Sequence, residues 1–83
     1  MSETVTYYEI ILADGSDNPA GLARRRRSDH GAVVDEMLRR DLSWQADSVI
    51  VEWNRGDSVE ELREISADEA AGLVERFRRR WAE

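Results

Sequence analysis

Few side chains in this 83-residue sequence have the types and spacing that chemistry requires. Ser28, Asp29 and His30 are the residue types of a nucleophile, an orienting acid and a base, and His30 is the only histidine. Successive residues of a turn rarely converge in the geometry of a catalytic triad. We therefore interpret Asp29 to Gly31 as a tight polar turn and keep His30 as a candidate binding residue.

The sharpest binding candidate is a run of four arginines at positions 24 to 27. Clustered arginines bind phosphate or carboxylate through two-pronged hydrogen bonds. The alternative is a charged edge strand that the 18 acidic residues of the chain neutralise. A second group, Arg76 and Arg78 to Arg80, would complete a basic patch if folding brought the two groups together. The candidate binding residues in the run are Arg24, Arg25, Arg26 and Arg27.

Two of the three tryptophans are the remaining candidates. Trp44 and Trp53 are expected either at the edge of the core or as anchors of a protein interface, where tryptophan is enriched among the residues that dominate binding. Trp81 continues an apolar helical stripe and is predicted to lie in the core.

The sequence contains no recognisable nucleophile–base pair, metal-ligand spacing or glycine-rich phosphate loop. We therefore expect no enzymatic activity and no bound metal or cofactor. Asp14, Asp17 and Asn18 supply oxygen donors in one loop, but their spacing lacks the full register of a calcium-binding loop. The chain has no cysteine, which excludes disulfide bonds and thiolate chemistry.

Charge and hydropathy limit the partners that we expect. The net charge of −6 argues against broad, non-specific binding to nucleic acid. No apolar run reaches transmembrane length, and the N-terminal residues lack the basic and apolar regions of a signal peptide, so we expect a cytoplasmic protein without membrane contact. A small core without disulfides favours homodimerisation, because a second copy would cover apolar surface.

The element that organises the rest is a predicted helix from Ser66 to Trp81. Ser66 and Glu69 have the spacing of a capping box. Acidic residues in the first turn and arginines in the last suit the helix dipole. An apolar stripe at helical spacing requires a sheet beneath it, and its members are Ala70, Leu73, Val74, Phe77 and Trp81.

The preceding residues are predicted to supply that sheet. A strand at 5–12 carries large apolar groups on both faces and is placed centrally, while the arginine-rich strand at 22–27 is placed at an edge. Residues 32–38 fit a strand better than the alternative helix. A short helix, rather than a strand, is expected after Asp47 or Ser48 and ends at Gly56, and residues 59–65 form a last strand.

These elements predict one small α+β domain over residues 1–83, in the order β-β-β-α-β-α. The expected sheet has three to four strands and is mainly antiparallel, with the helices, including the C-terminal one, packed on one face. Tyr7-Tyr8, Asp41-Leu42-Ser43-Trp44 and Glu64-Ile65-Ser66 together resemble small uncharacterised proteins of GC-rich bacteria. That resemblance implies no activity.

The preferred functional hypothesis is a non-catalytic protein-interaction or accessory module whose protein partner includes a second copy of itself. The first alternative is a small nucleic-acid-binding regulator that uses an arginine patch. The second is an acidic inhibitor or immunity-type protein, which rests on the net charge alone.

Overall fold

The computed structural model describes residues 3–12, 19–57 and 60–81. Five strands form one antiparallel sheet in the order β4-β3-β2-β1-β5, and two helices accompany them in this part of the chain. The elements are β1 (Glu3–Leu12), β2 (Gly21–Ser28), β3 (Val33–Leu38), β4 (Trp44–Ala46), α1 (Val49–Arg55), β5 (Glu60–Ile65) and α2 (Ala67–Trp81). The α+β class, the antiparallel pairing and the C-terminal helix are confirmed.

The predicted strand count and element order were wrong because β4 was interpreted as a crossover. Trp44 pairs with Leu38, and Ala46 with Glu36, so these three residues add a strand outside β3. A three-residue strand is too short to show an alternating pattern. The turn between β3 and β4 contains Leu42, whose φ of 67° lies in the left-handed region.

The prediction that the arginine-rich strand lies at an edge was also wrong, since β2 is the middle strand of the sheet. Its arginines alternate between the two faces, as their spacing predicts. They are tolerated at the centre because Asp35 and Glu36 of β3 lie directly opposite Arg25 and Arg24. This pairing with β2 also shows that residues 33–38 form a strand and not the alternative helix.

Helix α2 packs across one face of the sheet, which we call the α2 face. Ser66 Oγ accepts a hydrogen bond from the Glu69 N–H (3.1 Å), and Glu69 Oε1 accepts one from the Ser66 N–H (3.2 Å), which confirms the capping box. Phe77 is 1% exposed and stacks on Trp81 with the ring centroids 4.7 Å apart. The buried members of this cluster are Leu22, Leu38, Ala70, Leu73 and Phe77.

Helix α1 packs on the opposite face, the α1 face, so the prediction that the helices share one face was wrong. The carboxylate of Asp47 accepts the Val49 N–H at the start of α1 (2.8 Å), and Gly56 ends the helix at a φ of 80°, as predicted. Side chains alternate along every strand, so each face of the sheet presents its own apolar set. The α1-face cluster contains Ile10, Ala23, Val49, Ile50 and Leu62.

Both clusters lie toward the same end of the sheet. At the other end, residues 3–6 of β1, 25–28 of β2 and 33–35 of β3 belong to neither cluster, and we call this region the helix-free end. The turn signals and oxygen donors noted at positions 14–18 lie outside the described residues. Neither helix in the described ranges is long and apolar enough to cross a membrane.

Replacing Phe77 by Ala should lower the free energy of unfolding by about 3–5 kcal/mol, because the ring is buried between α2 and the sheet. Urea denaturation followed by circular dichroism measures this loss. Arg79→Ala on the exposed side of the same helix is the control and should change stability by less than about 0.5 kcal/mol. Equal losses in the two variants would contradict the packing described here.

Candidate functional site

The candidate binding residues do not converge on one surface of the protein. Arg24, Arg26 and Trp44 lie on the α2 face, whereas Arg25 and Arg27 lie on the α1 face. The run of arginines is therefore not one basic patch. Each face has to be considered separately.

On the α2 face, two arginines share one carboxylate. Arg24 Nε donates to Glu36 Oε1 (2.7 Å), and Arg26 Nε lies 2.9 Å from the same oxygen. Arg26 Nη1 also lies 3.6 Å from Glu3 Oε2 on β1. These contacts connect β1, β2 and β3, and each of the two guanidinium groups is paired with a carboxylate.

Trp44 lies beside this network. The Arg24 guanidinium carbon lies 4.1 Å from the centroid of the Trp44 ring, and the centroid of the Tyr7 ring lies 6.3 Å from that of Trp44. The indole face attracts the guanidinium, and the contact orders both side chains. Trp44 is half-buried and packs on the α2-face cluster, as expected for a residue at the edge of the core.

The Glu36 carboxylate responds to two opposing effects. Its burial by itself raises the pKa, whereas the hydrogen bonds and positive charges of Arg24 and Arg26 lower it, and the net pKa lies below the ordinary value of 4.5. Glu36 is therefore charged in the folded protein at neutral pH. Its charge holds the two arginines in place.

On the α1 face, Arg25 and Arg27 have different surroundings. Arg25 donates from Nε to Asp35 Oδ1 (2.8 Å) and from Nη2 to Asp35 Oδ2 (3.0 Å), and this hydrogen bonding raises the pKa of Arg25 further. The Arg27 side chain is exposed, and within the described ranges it makes no hydrogen bond or ion pair. It is the member of the run that remains available to another molecule.

Trp53 and His30 lie apart from these arginine networks. Trp53 is on α1, half-buried, with its ring 6.1 Å from that of Tyr8. His30 is exposed in the turn between β2 and β3. Ser28 Oγ accepts hydrogen bonds from the backbone N–H groups of His30 (3.3 Å) and Ala32 (3.1 Å), so this hydroxyl stabilises the turn.

No contact joins the second arginine group to the first in the part of the chain that the structure describes. Arg76 lines a surface depression above Glu9, which is itself buried and paired with Arg63 of β5. Arg78 pairs with Glu75 on the same helix (3.4 Å), and Arg80 lies over the Phe77 ring. The arginines of α2 therefore do not form one basic patch with the run at positions 24 to 27. They complement the dipole at the end of the helix and lie on its solvent-exposed face.

The outer edge of β3 is partly open. Strand β4 pairs only with Glu36 to Leu38, and the next contact on that side is the Asp47 N–H, which donates to the Asp35 C=O (3.1 Å). Beyond it, Val33 and Val34 are 45% and 41% exposed. Among the described residues, Val51 on α1 is the other large apolar side chain with comparable exposure, at 36%.

Sequence analysis missed the carboxylates that organise this region. Asp35 and Glu36 are not among the predicted site residues, because the alternative helix over residues 32–38 would place them beside Arg39 and Arg40; in the structure, Arg39 pairs with Asp47 (3.3 Å). A usable signal was present, because a hairpin turning at His30 places residue 35 opposite 25 and residue 36 opposite 24. The open edge at Val33 had no such signal, since it depends on where β4 ends.

Comparison of the chain with protein-family models, with curated proteins and with solved structures finds no match. Within the described ranges, no group of three or more His, Asp or Glu side chains is placed to hold a metal ion.

Glu36→Gln should reduce the decrease in the free energy of unfolding between pH 7 and pH 3. Because the pKa of Glu36 is lowered on folding, its contribution is present above the ordinary value of 4.5 and is lost as pH falls through the folded-state pKa. The measurement is the urea midpoint between pH 7 and pH 3, compared with Glu61→Gln, which removes an exposed carboxylate from β5. If the urea midpoint of Glu36→Gln falls with decreasing pH as steeply as that of the parent protein, Glu36 does not have the lowered pKa described here.

Proposed function

We propose that this protein is a non-catalytic protein-interaction module that self-associates by pairing the open edge of β3 with the same edge of a second copy. The observation that carries the proposal is the exposure of Val33 and Val34 at 45% and 41%, next to a stretch of β3 that β4 does not cover. Exposed edges that carry apolar side chains are templates for pairing with another strand.

The backbone at this edge has groups directed outward. The Asp35 C=O accepts a hydrogen bond from Asp47 on the outer side, whereas the Ala32 C=O accepts one from Ser28 of β2 on the inner side. Polar groups alternate in direction along a strand, so the N–H and C=O of Val33 face outward with those of Asp35. Strand addition uses such groups for affinity.

The register of the proposed pairing follows from which groups are free. A two-fold axis at Val33 lets the N–H and C=O of Val33 exchange hydrogen bonds with those of the second copy. An axis at Val34 would instead require the Asp35 C=O, which already accepts the Asp47 N–H. We therefore place the axis at Val33, where the interface is isologous.

The charged residue next to the open edge, Asp35, does not oppose this pairing. Asp35 is engaged by Arg25, so its charge is compensated within one copy. The net charge of −6 does repel a second copy at long range. Because salt screens that repulsion, association should hold or strengthen as salt is added.

The ion pairs also favour this proposal over the nucleic-acid alternative. Arg24, Arg25 and Arg26 are held by carboxylates of the same chain, so phosphate contacts by these residues would require those pairs to break. Binding to nucleic acid would weaken with salt, which is the opposite dependence. The acidic-inhibitor alternative still rests on net charge alone.

Val33→Glu should weaken self-association by about tenfold or more, because the apolar contact at the axis is lost and a charged side chain would have to leave water there. Arg27 lies directly opposite position 33, so the new carboxylate has a partner within the folded monomer. Sedimentation velocity over a concentration series measures the association, and circular dichroism checks the fold.

Val51→Glu is the matched control, since it changes the other highly exposed valine in the described region by the same substitution, on α1. It should associate like the parent protein. The proposal is wrong if the parent protein is monomeric throughout the concentration series, or if the two variants dissociate equally.

A further inference from the structure

A shallow cavity of about 210 Å³ lies on the α1 face at the helix-free end. Its lining combines hydroxyl and guanidinium groups from the two adjacent strands β1 and β2. The lining residues are Thr4, Thr6, Tyr8, Arg25 and Arg27. None of these described lining residues carries a carboxylate.

The register of β1 and β2 arranges these groups in a compact array. Thr4 lies directly opposite Arg27, and Thr6 directly opposite Arg25, so two hydroxyls face two guanidinium groups on one side of the sheet. Residues opposite each other on antiparallel strands have Cβ atoms about 5 Å apart. The donors therefore converge on a volume suited to a single small group.

Arg25 and Arg27 differ in how many of their side-chain N–H donors are already used. Arg25 uses Nε and Nη2 on Asp35, which fixes the orientation of its guanidinium plane. The Arg27 guanidinium has no hydrogen bond or ion pair within the described ranges, although the chain carries 18 acidic residues. The other three arginines of the run each have a carboxylate partner, so Arg27 is the exception that intramolecular pairing does not explain.

We propose that this cavity binds a phosphoryl group, with Arg27 as its principal ligand and the hydroxyls of Thr4, Thr6 and Tyr8 completing the shell. Arginine presents a planar fork that matches two oxygens of an oxyanion. A carboxylate offers two acceptor oxygens, whereas a phosphoryl group offers three strong acceptors and a larger charge, which suits the number of donors here. The site lies within one copy and does not depend on self-association.

The test is a titration of the ¹⁵N-labelled full chain with inorganic phosphate, followed by amide and arginine Nε resonances. Saturable shifts should concentrate at Thr4, Thr6 and Arg27. Arg27→Gln should weaken binding by about tenfold or more, as expected for losing a charge-assisted hydrogen bond. Arg79→Gln removes the same charge from the exposed side of α2 and should bind like the parent protein.

Thr4→Val and Thr6→Val provide a second test that keeps side-chain shape and charge. Each should weaken phosphate binding while the amide spectrum stays that of the folded protein. Parallel titrations with phosphoserine and adenosine 5′-monophosphate identify the source of the group, since tighter binding than inorganic phosphate points to a phosphopeptide or to a nucleotide respectively.

Three results would each overturn the proposal. Shifts that rise linearly with phosphate and never saturate would mean that no site exists. Equal effects of Arg27→Gln and Arg79→Gln would mean that only net charge matters. Acetate binding as tightly as phosphate would assign the cavity to carboxylates instead.

Discussion

The pairing of arginine with carboxylate across β2 and β3 is the interaction on which the sheet depends. Four charged residues in succession are unusual in a middle strand, and they are tolerated here because Glu36 and Asp35 meet Arg24 and Arg25 in register. A slip of one residue would separate these pairs. It would also turn Leu38 away from the α2 face, where it is buried.

The position of the two helices determines which part of the sheet is exposed. Helices α1 and α2 cover opposite faces but the same end, so β1, β2 and β3 extend beyond both core clusters. That helix-free end is held together by ladder hydrogen bonds and cross-strand ion pairs rather than by apolar packing. Such a surface is polar enough to remain hydrated.

The proposed association edge and the proposed phosphoryl cavity are neighbours in this region. Val33 at the edge of β3 lies directly opposite Arg27 on β2, and Arg27 lies directly opposite Thr4 on β1. A second copy and a bound anion would therefore occupy adjacent strands on one face. Both proposed events would change the electrostatic surroundings of Arg27.

Local patterns were sufficient for the elements whose signal lies within a few residues. The capping box at Ser66 and Glu69, the stripe that ends in Phe77, the glycine that ends α1 and the alternation of the arginines could all be predicted, because each depends on neighbours along the chain. Strand β4 escaped detection, since three residues carry too little periodicity.

Local sequence patterns alone were enough to predict a small α+β domain with a C-terminal helix and arginines divided between two sheet faces. Long-range contacts, by contrast, place β2 in the middle of the sheet and α1 and α2 on opposite faces, and they leave the Arg27 side chain without a carboxylate partner within the described ranges. Strand order and pairing depend on contacts between residues far apart in the chain. Those contacts are selected by the whole set of packed side chains, which no local pattern contains.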